Sequence, residues 1–145
     1  MSESPRSANS LASPKVYEEF IYALPDSFPS IEFSTLVFVR TSIDTAQIEG
    51  ELHFSNDTIL RVRQFLDFHD KLIRAYSYEL YQRGKKIWWY DPWPHPHDKT
   101  FASTHPHHKH VGQDIKHTRV PAPGLSFERP NLPVLIREIE KLRAE

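Results

Sequence analysis

The stretch Gln47-Ile48-Glu49-Gly50-Glu51-Leu52-His53-Phe54-Ser55-Asn56-Asp57-Thr58-Ile59-Leu60-Arg61-Val62-Arg63-Gln64-Phe65 decides the fold class. In its first half Ile48, Leu52 and Phe54 alternate with Glu49, Glu51 and His53, the two-residue period of a strand with one face buried. In its second half Leu60 and Val62 alternate with Arg61 and Arg63. The link Ser55-Asn56-Asp57 is too short for a crossover and rich in turn formers, so the two runs form an antiparallel hairpin. Gly50 falls on the apolar face, where a missing side chain admits a bulky neighbour or marks a bulge.

Working outward, Thr35–Arg40 is a short β-branched and aromatic run before the hairpin. Leu72–Tyr81 follows it, with Tyr76, Tyr78 and Leu80 on one face, and Gln82-Arg83-Gly84 turns the chain into Lys86–Asp91. Short links between successive strands predict an antiparallel meander of four to five strands. On the N-terminal side Ser13 caps a helix with Pro14 in its first turn. Val16, Tyr17, Phe20, Ile21 and Leu24 carry that helix to about Leu24, where Pro25 and Pro29 are expected to end it. On the C-terminal side Asn131 is the expected N-cap of a helix whose stripe is Leu132, Leu135, Ile136, Ile139 and Leu142. The class is therefore α+β, a meander sheet with an N-terminal and a C-terminal helix packed on it. Residues 1–13, rich in Ser, Ala, Pro and Asn, are expected to be a disordered tail, and 14–145 one domain.

Composition narrows the function classes. The chain has no cysteine, which excludes disulfides and Cys-ligated metal centres. No apolar run approaches the roughly 18 residues of a membrane span, and the first residues lack a signal-peptide core, so a cytoplasmic location is expected. There is no phosphate loop, dinucleotide-binding glycine pattern, nucleophile elbow or zincin helix. Charge is distributed unevenly: residues 1–33 hold five acidic groups against two basic, whereas residues 84–120 hold six basic against three acidic. The second stretch also contains seven of the nine histidines, so any protonation there adds positive charge suited to a phosphate-bearing partner.

That stretch holds the candidate chemistry: Tyr90-Asp91-Pro92-Trp93-Pro94-His95-Pro96-His97, then His105-Pro106-His107-His108-Lys109-His110-Val111. Two positioned imidazoles can divide general-base and general-acid roles near neutrality. His95, His108 and His110 are the catalytic candidates, with Asp91 orienting an imidazole and Tyr90 donating a hydrogen bond or a proton. Lys109 supplies fixed positive charge for a developing oxyanion, and Tyr78 and Arg61 are further substrate-binding candidates. His97, His105 and His107 are assigned structural roles. The i, i+2 spacings of His95/His97 and His108/His110 also suit a zinc, copper or nickel site, so a metal-dependent hydrolase or transferase is the alternative enzyme. A non-enzymatic module that binds protein or nucleic acid is the third reading. The leading reading needs neither metal nor cofactor.

The hairpin, the Tyr76-x-Tyr78 strand, the Trp89-Tyr90-Asp91 strand end and the Pro106-His107-His108-Lys109-His110 box together resemble the TumE family of prokaryotic toxins. The resemblance covers about residues 35–142, with the box as its specific part, and no counterpart for the first 30 residues. It implies a toxin held in check by a cognate helix-turn-helix antitoxin that binds it. Combined with the imidazole pair, it leads to the expectation of a toxin acting on RNA by metal-independent cleavage. A homodimer through an exposed sheet edge is a further expectation.

Overall fold

In the computed structural model the described residues are 10–91, 108–111, 119–121 and 125–144. The hairpin read from the sequence is its centre. Strand β3 (Thr45–Phe54) runs against β4 (Thr58–Asp67) in unbroken register, with Leu52 opposite Leu60 and Gly50 opposite Val62. The link uses Asn56 and Asp57 at positive φ, the left-handed region that Asn and Asp tolerate best after Gly. β5 (Leu72–Gln82) returns along β4, and a two-residue turn with Arg83 and Gly84 both at positive φ leads to β6 (Lys85–Asp91). Two adjacent left-handed residues are the signature of a type I′ hairpin turn.

Two additions flank this meander. On one side β1 (Ile31–Ser34) and β2 (Val37–Arg40) share the free edge of β3, one beyond the other. They are separated where Thr35 and Leu36 cross Gly50: a Cβ on Gly50 would lie 2.5 Å from the Thr35 carbonyl oxygen and 2.8 Å from the Leu36 Cα. What Gly50 admits is thus a crossing backbone rather than a bulky side chain, and the β3–β4 register has no bulge there. The ladder is maintained there by the Thr35 side chain, whose hydroxyl accepts the Glu51 N–H at 2.8 Å. On the other side β7 (His108–Val111) pairs with β6, and β8 (Arg119–Pro121) pairs with β7. All pairings are antiparallel, giving eight strands among the described residues.

The helices differ from expectation in detail. Ser13 caps α1 (Pro14–Tyr22) as read, its hydroxyl accepting the Val16 N–H. The helix stops at Tyr22, and Pro25 does not end it; Pro25 sits in the first turn of a separate short helix α2 (Leu24–Ser27), where its missing N–H costs nothing. Residues 10–12, expected in the tail, form a 3-10 turn whose Leu11 is buried in the core. Residues 1–9 lie outside the described residues. Helix α3 (Leu132–Ala144) buries Leu132, Leu135, Ile136 and Ile139 completely, each side chain contributing roughly 1.5–3 kcal/mol. Leu142, counted in the same stripe, is 44 % exposed at the far end of the helix.

The apolar face of the sheet includes Ile48, Leu52, Leu60, Val62, Ile73, Tyr78 and Trp88, which belong to one buried cluster with Tyr17, Ile21 and the four buried residues of α3. A polar chain runs through it. The Tyr17 hydroxyl donates to Gln64 Oε1 at 2.9 Å, and Gln64 Nε2 and Asn131 Nδ2 both donate to the Tyr78 hydroxyl. The Asn131 backbone carbonyl accepts from Leu135, as an N-cap's does. Its side chain instead ties Ser126 and Tyr78 to the helix start. No described helix is long and apolar enough to cross a membrane.

Candidate functional site

The site forms where β6, β7 and α3 meet. β6 ends in Ile87-Trp88-Trp89-Tyr90-Asp91, alternating so that Trp88 and Tyr90 are buried on the helix-bearing face. β7 lies beside it with Lys109 opposite Tyr90, His108 opposite Asp91, His110 opposite Trp89 and Val111 opposite Trp88. The His-Lys-His run has no strand pattern of its own; it is a strand because β6 supplies a ladder partner, which can override weak local propensity.

One carboxylate joins the three elements. Glu138 of α3 accepts the Tyr90 hydroxyl on Oε1 at 2.5 Å and pairs through Oε2 with the Lys109 ammonium. The same ammonium lies 5.1 Å from the Trp88 ring centroid and 5.2 Å from that of Tyr90, and the two rings meet edge to face. The Lys109 and Glu138 side chains are 20 % and 27 % exposed, so the pair is shielded far more than a surface ion pair. Burial, then the hydrogen bond and negative charge of Glu138, hold the Tyr90 hydroxyl above the ordinary tyrosine range. Tyr90 is therefore an un-ionised donor already committed to Glu138.

Asp91 closes β6 as a buried carboxyl, and its charge adds to the burial that raises the Tyr76 hydroxyl, after that of Tyr78. Tyr76 and Tyr78 stack at 4.8 Å between centroids. Tyr78 stands opposite Tyr90 in register but is fully buried, its hydroxyl held by Gln64 and Asn131 and raised chiefly by desolvation.

The backbone register thus brings together Tyr90, Asp91, His108, Lys109 and His110. His95, His97, His105 and His107 lie outside the described residues. Arg61 stands on the opposite face of the sheet from Tyr78, between Glu51 and Glu79 and 5.2 Å from the Tyr81 ring centroid. Glu138 was not anticipated. The available signal was its position three residues after Leu135 and four before Leu142, a carboxylate flanking an apolar stripe.

A family model described as toxin TumE matches residues 20–143. The match reaches further toward the N-terminus than the resemblance read from the sequence, taking in the end of α1, α2 and β1. No curated protein and no solved structure matches the chain.

Proposed function

The chain belongs to the TumE family of toxins, and from that membership we propose that this toxin of a toxin–antitoxin pair cleaves RNA with the imidazoles of its box. In the proposed reaction the 2′-oxygen attacks the adjacent phosphorus while one imidazole takes its proton. The bond to the 5′-oxygen breaks as a second, protonated imidazole gives that oxygen a proton. The products are a 2′,3′-cyclic phosphate and a free 5′-hydroxyl, and no metal enters the balance. His108 and His110 are the assigned pair, His95 is the third imidazole of the proposal, and Asp91 orients one of them.

The observation that carries this reading is the pairing of β7 with β6, which fixes the backbone of His108 opposite Asp91 and that of His110 opposite Trp89. Groups held on paired strands keep catalytic geometry better than groups on a loop. Strand alternation puts Lys109 on the helix-bearing face, where Glu138 meets its charge, so its role in the proposal is to anchor β7 against α3 and thereby hold the backbone of His108 and His110 in place. The partner is the antitoxin implied by family membership, and a helix-turn-helix antitoxin is the form proposed.

The test uses purified protein with total cellular RNA in EDTA. Discrete fragments ending in cyclic phosphate are expected, with a bell-shaped pH dependence. His108→Ala or His110→Ala should lower the rate by about 10²–10⁴-fold without loss of folding. Intact RNA under these conditions, or fragments that vanish only when EDTA is added, would overturn the assignment.

A further inference from the structure

At the end of the sheet away from Asp91, the β3–β4 and β5–β6 turns lie side by side, joined by the Arg83 N–H donating to the Asp57 carbonyl at 3.0 Å. Between these turns and Leu142 of α3 is a surface cleft of about 540 Å³. Its polar rim is Asn56, Gln82, Arg83 and Lys85, all exposed, and its apolar side is Ile87 and Leu142. No ion pair involves Arg83 or Lys85 among the described residues, so both charges are available to a ligand. This sets them apart from Arg61, Arg63, Arg74, Lys86 and Lys109, each of which has a carboxylate partner.

The inner wall carries a second, independent sign. Thr58 is 1 % exposed, lines the cleft, and has a buried hydroxyl with no hydrogen-bond partner. A buried hydroxyl without a partner costs about 1–3 kcal/mol, and the cost falls if rotation about Cα–Cβ turns it to an acceptor in the cleft. Two unpaired cations, two carboxamides and an unmet hydroxyl around an apolar floor form a donor-rich pocket for an oxyanion. Leu142 fits the same picture: it is the one member of the α3 stripe left half exposed, where a ligand's apolar part can cover it.

We propose that this cleft binds a phosphate group through Arg83, Lys85 and Thr58. Lys85 and Asp91 are six positions apart on β6, which puts the cleft about 20 Å from the box along the strand. A nucleic-acid strand lying along β6 can reach both places. The site is independent of the cleavage reading, because it is tested by binding alone.

Two probes distinguish the source of the phosphate. One is a labelled oligodeoxyuridylate, which lacks the 2′-hydroxyl and so survives the proposed reaction; the other is inorganic phosphate. Arg83→Gln with Lys85→Gln should weaken oligonucleotide binding about tenfold and flatten its salt dependence by about 0.7 for each phosphate that is no longer neutralised. Thr58→Val, which keeps the shape, should weaken binding about 2- to 10-fold, the worth of one neutral hydrogen bond, while thermal stability does not fall. If inorganic phosphate shows these sensitivities and the oligonucleotide does not, the cleft serves a free phosphate or small phosphate ester, and the site stands. Equal binding of both probes to the wild type and the double variant, or no binding of either to the wild type, overturns it.

Discussion

Glu138 has two partners on two different strands, and its removal distinguishes what each contributes. Glu138→Ala leaves the Tyr90 hydroxyl and the Lys109 ammonium without their acceptor in a site where both are largely shielded from water. The expected loss is about 1–3 kcal/mol, between the small value of an exposed pair and the larger one of a fully buried pair. Glu138→Gln keeps a carbonyl acceptor for Tyr90 and gives up only the charge, so it should cost less than half as much. Urea denaturation of the two variants checks this. Equal losses would mean that Lys109 alone depends on Glu138. The sequence shows Tyr90 and Lys109 as polar members of a motif, but neither residue indicates that a helix far along the chain supplies the shared carboxylate. That contact is non-local, and the sequence marks it only as a carboxylate flanking an apolar stripe.

At the level of elements, strands with a strong period were legible and strands defined by their partners were not. β3 and β4 follow their alternation in register because every core-facing residue of one meets a core-facing residue of the other. β7 has no such pattern, since His108-Lys109-His110-Val111 has one apolar residue and follows a proline-rich stretch. Its extended form comes from the β6 ladder and from the Lys109–Glu138 pair. Amide hydrogen exchange should therefore find β7 protected in the wild type and markedly faster in Glu138→Ala, with β3 and β4 accelerated only by the factor that the global loss of stability requires. Uniform acceleration across the sheet would show the pair supporting global stability only. Gly50 defines the other flank. Any side chain there meets the Thr35 and Leu36 backbone, and the φ of +147° is strained for any residue but glycine. Gly50→Ala should cost about 3 kcal/mol or more in thermal or urea unfolding, because neither backbone segment can yield without breaking the Thr35–Glu51 bonds. Local alternation placed Gly50 on the apolar face, but only the crossing chain explains why no methyl fits.

Across the whole molecule the buried tyrosines make the fold sensitive to alkali. The hydroxyls of Tyr17, Tyr76, Tyr78 and Tyr90 are all raised above their ordinary value of 10.0, in each case mainly by burial. A raised folded-state value means that the native form retains a proton the unfolded chain gives up. The stabilisation is complete below pH 10 and declines as pH rises above it, because only the unfolded state then ionises. Three of the four phenols lie in one connected region, with Tyr17 bonded to Gln64, Gln64 to Tyr78, and Tyr78 stacked on Tyr76, so none can ionise without disturbing the others. Tyr90 joins the same layer through its register with Tyr78 and the charge coupling to Tyr76. Tyrosinate absorbance from these residues is therefore expected as a single transition coincident with loss of the circular dichroism of the sheet. Tyr78→Phe tests the coupling in both directions. It removes one ionisable group, which lessens the alkaline loss, but it takes the acceptor from Gln64 Nε2 and leaves Asn131 Nδ2 with the Ser126 carbonyl alone, which lowers stability at neutral pH by about 1–3 kcal/mol. A variant less stable at pH 7 yet with a shallower decline above pH 10 is the expected signature. If Tyr78→Phe leaves the alkaline decline as steep as in the wild type, the buried phenols do not set the upper pH limit of the fold.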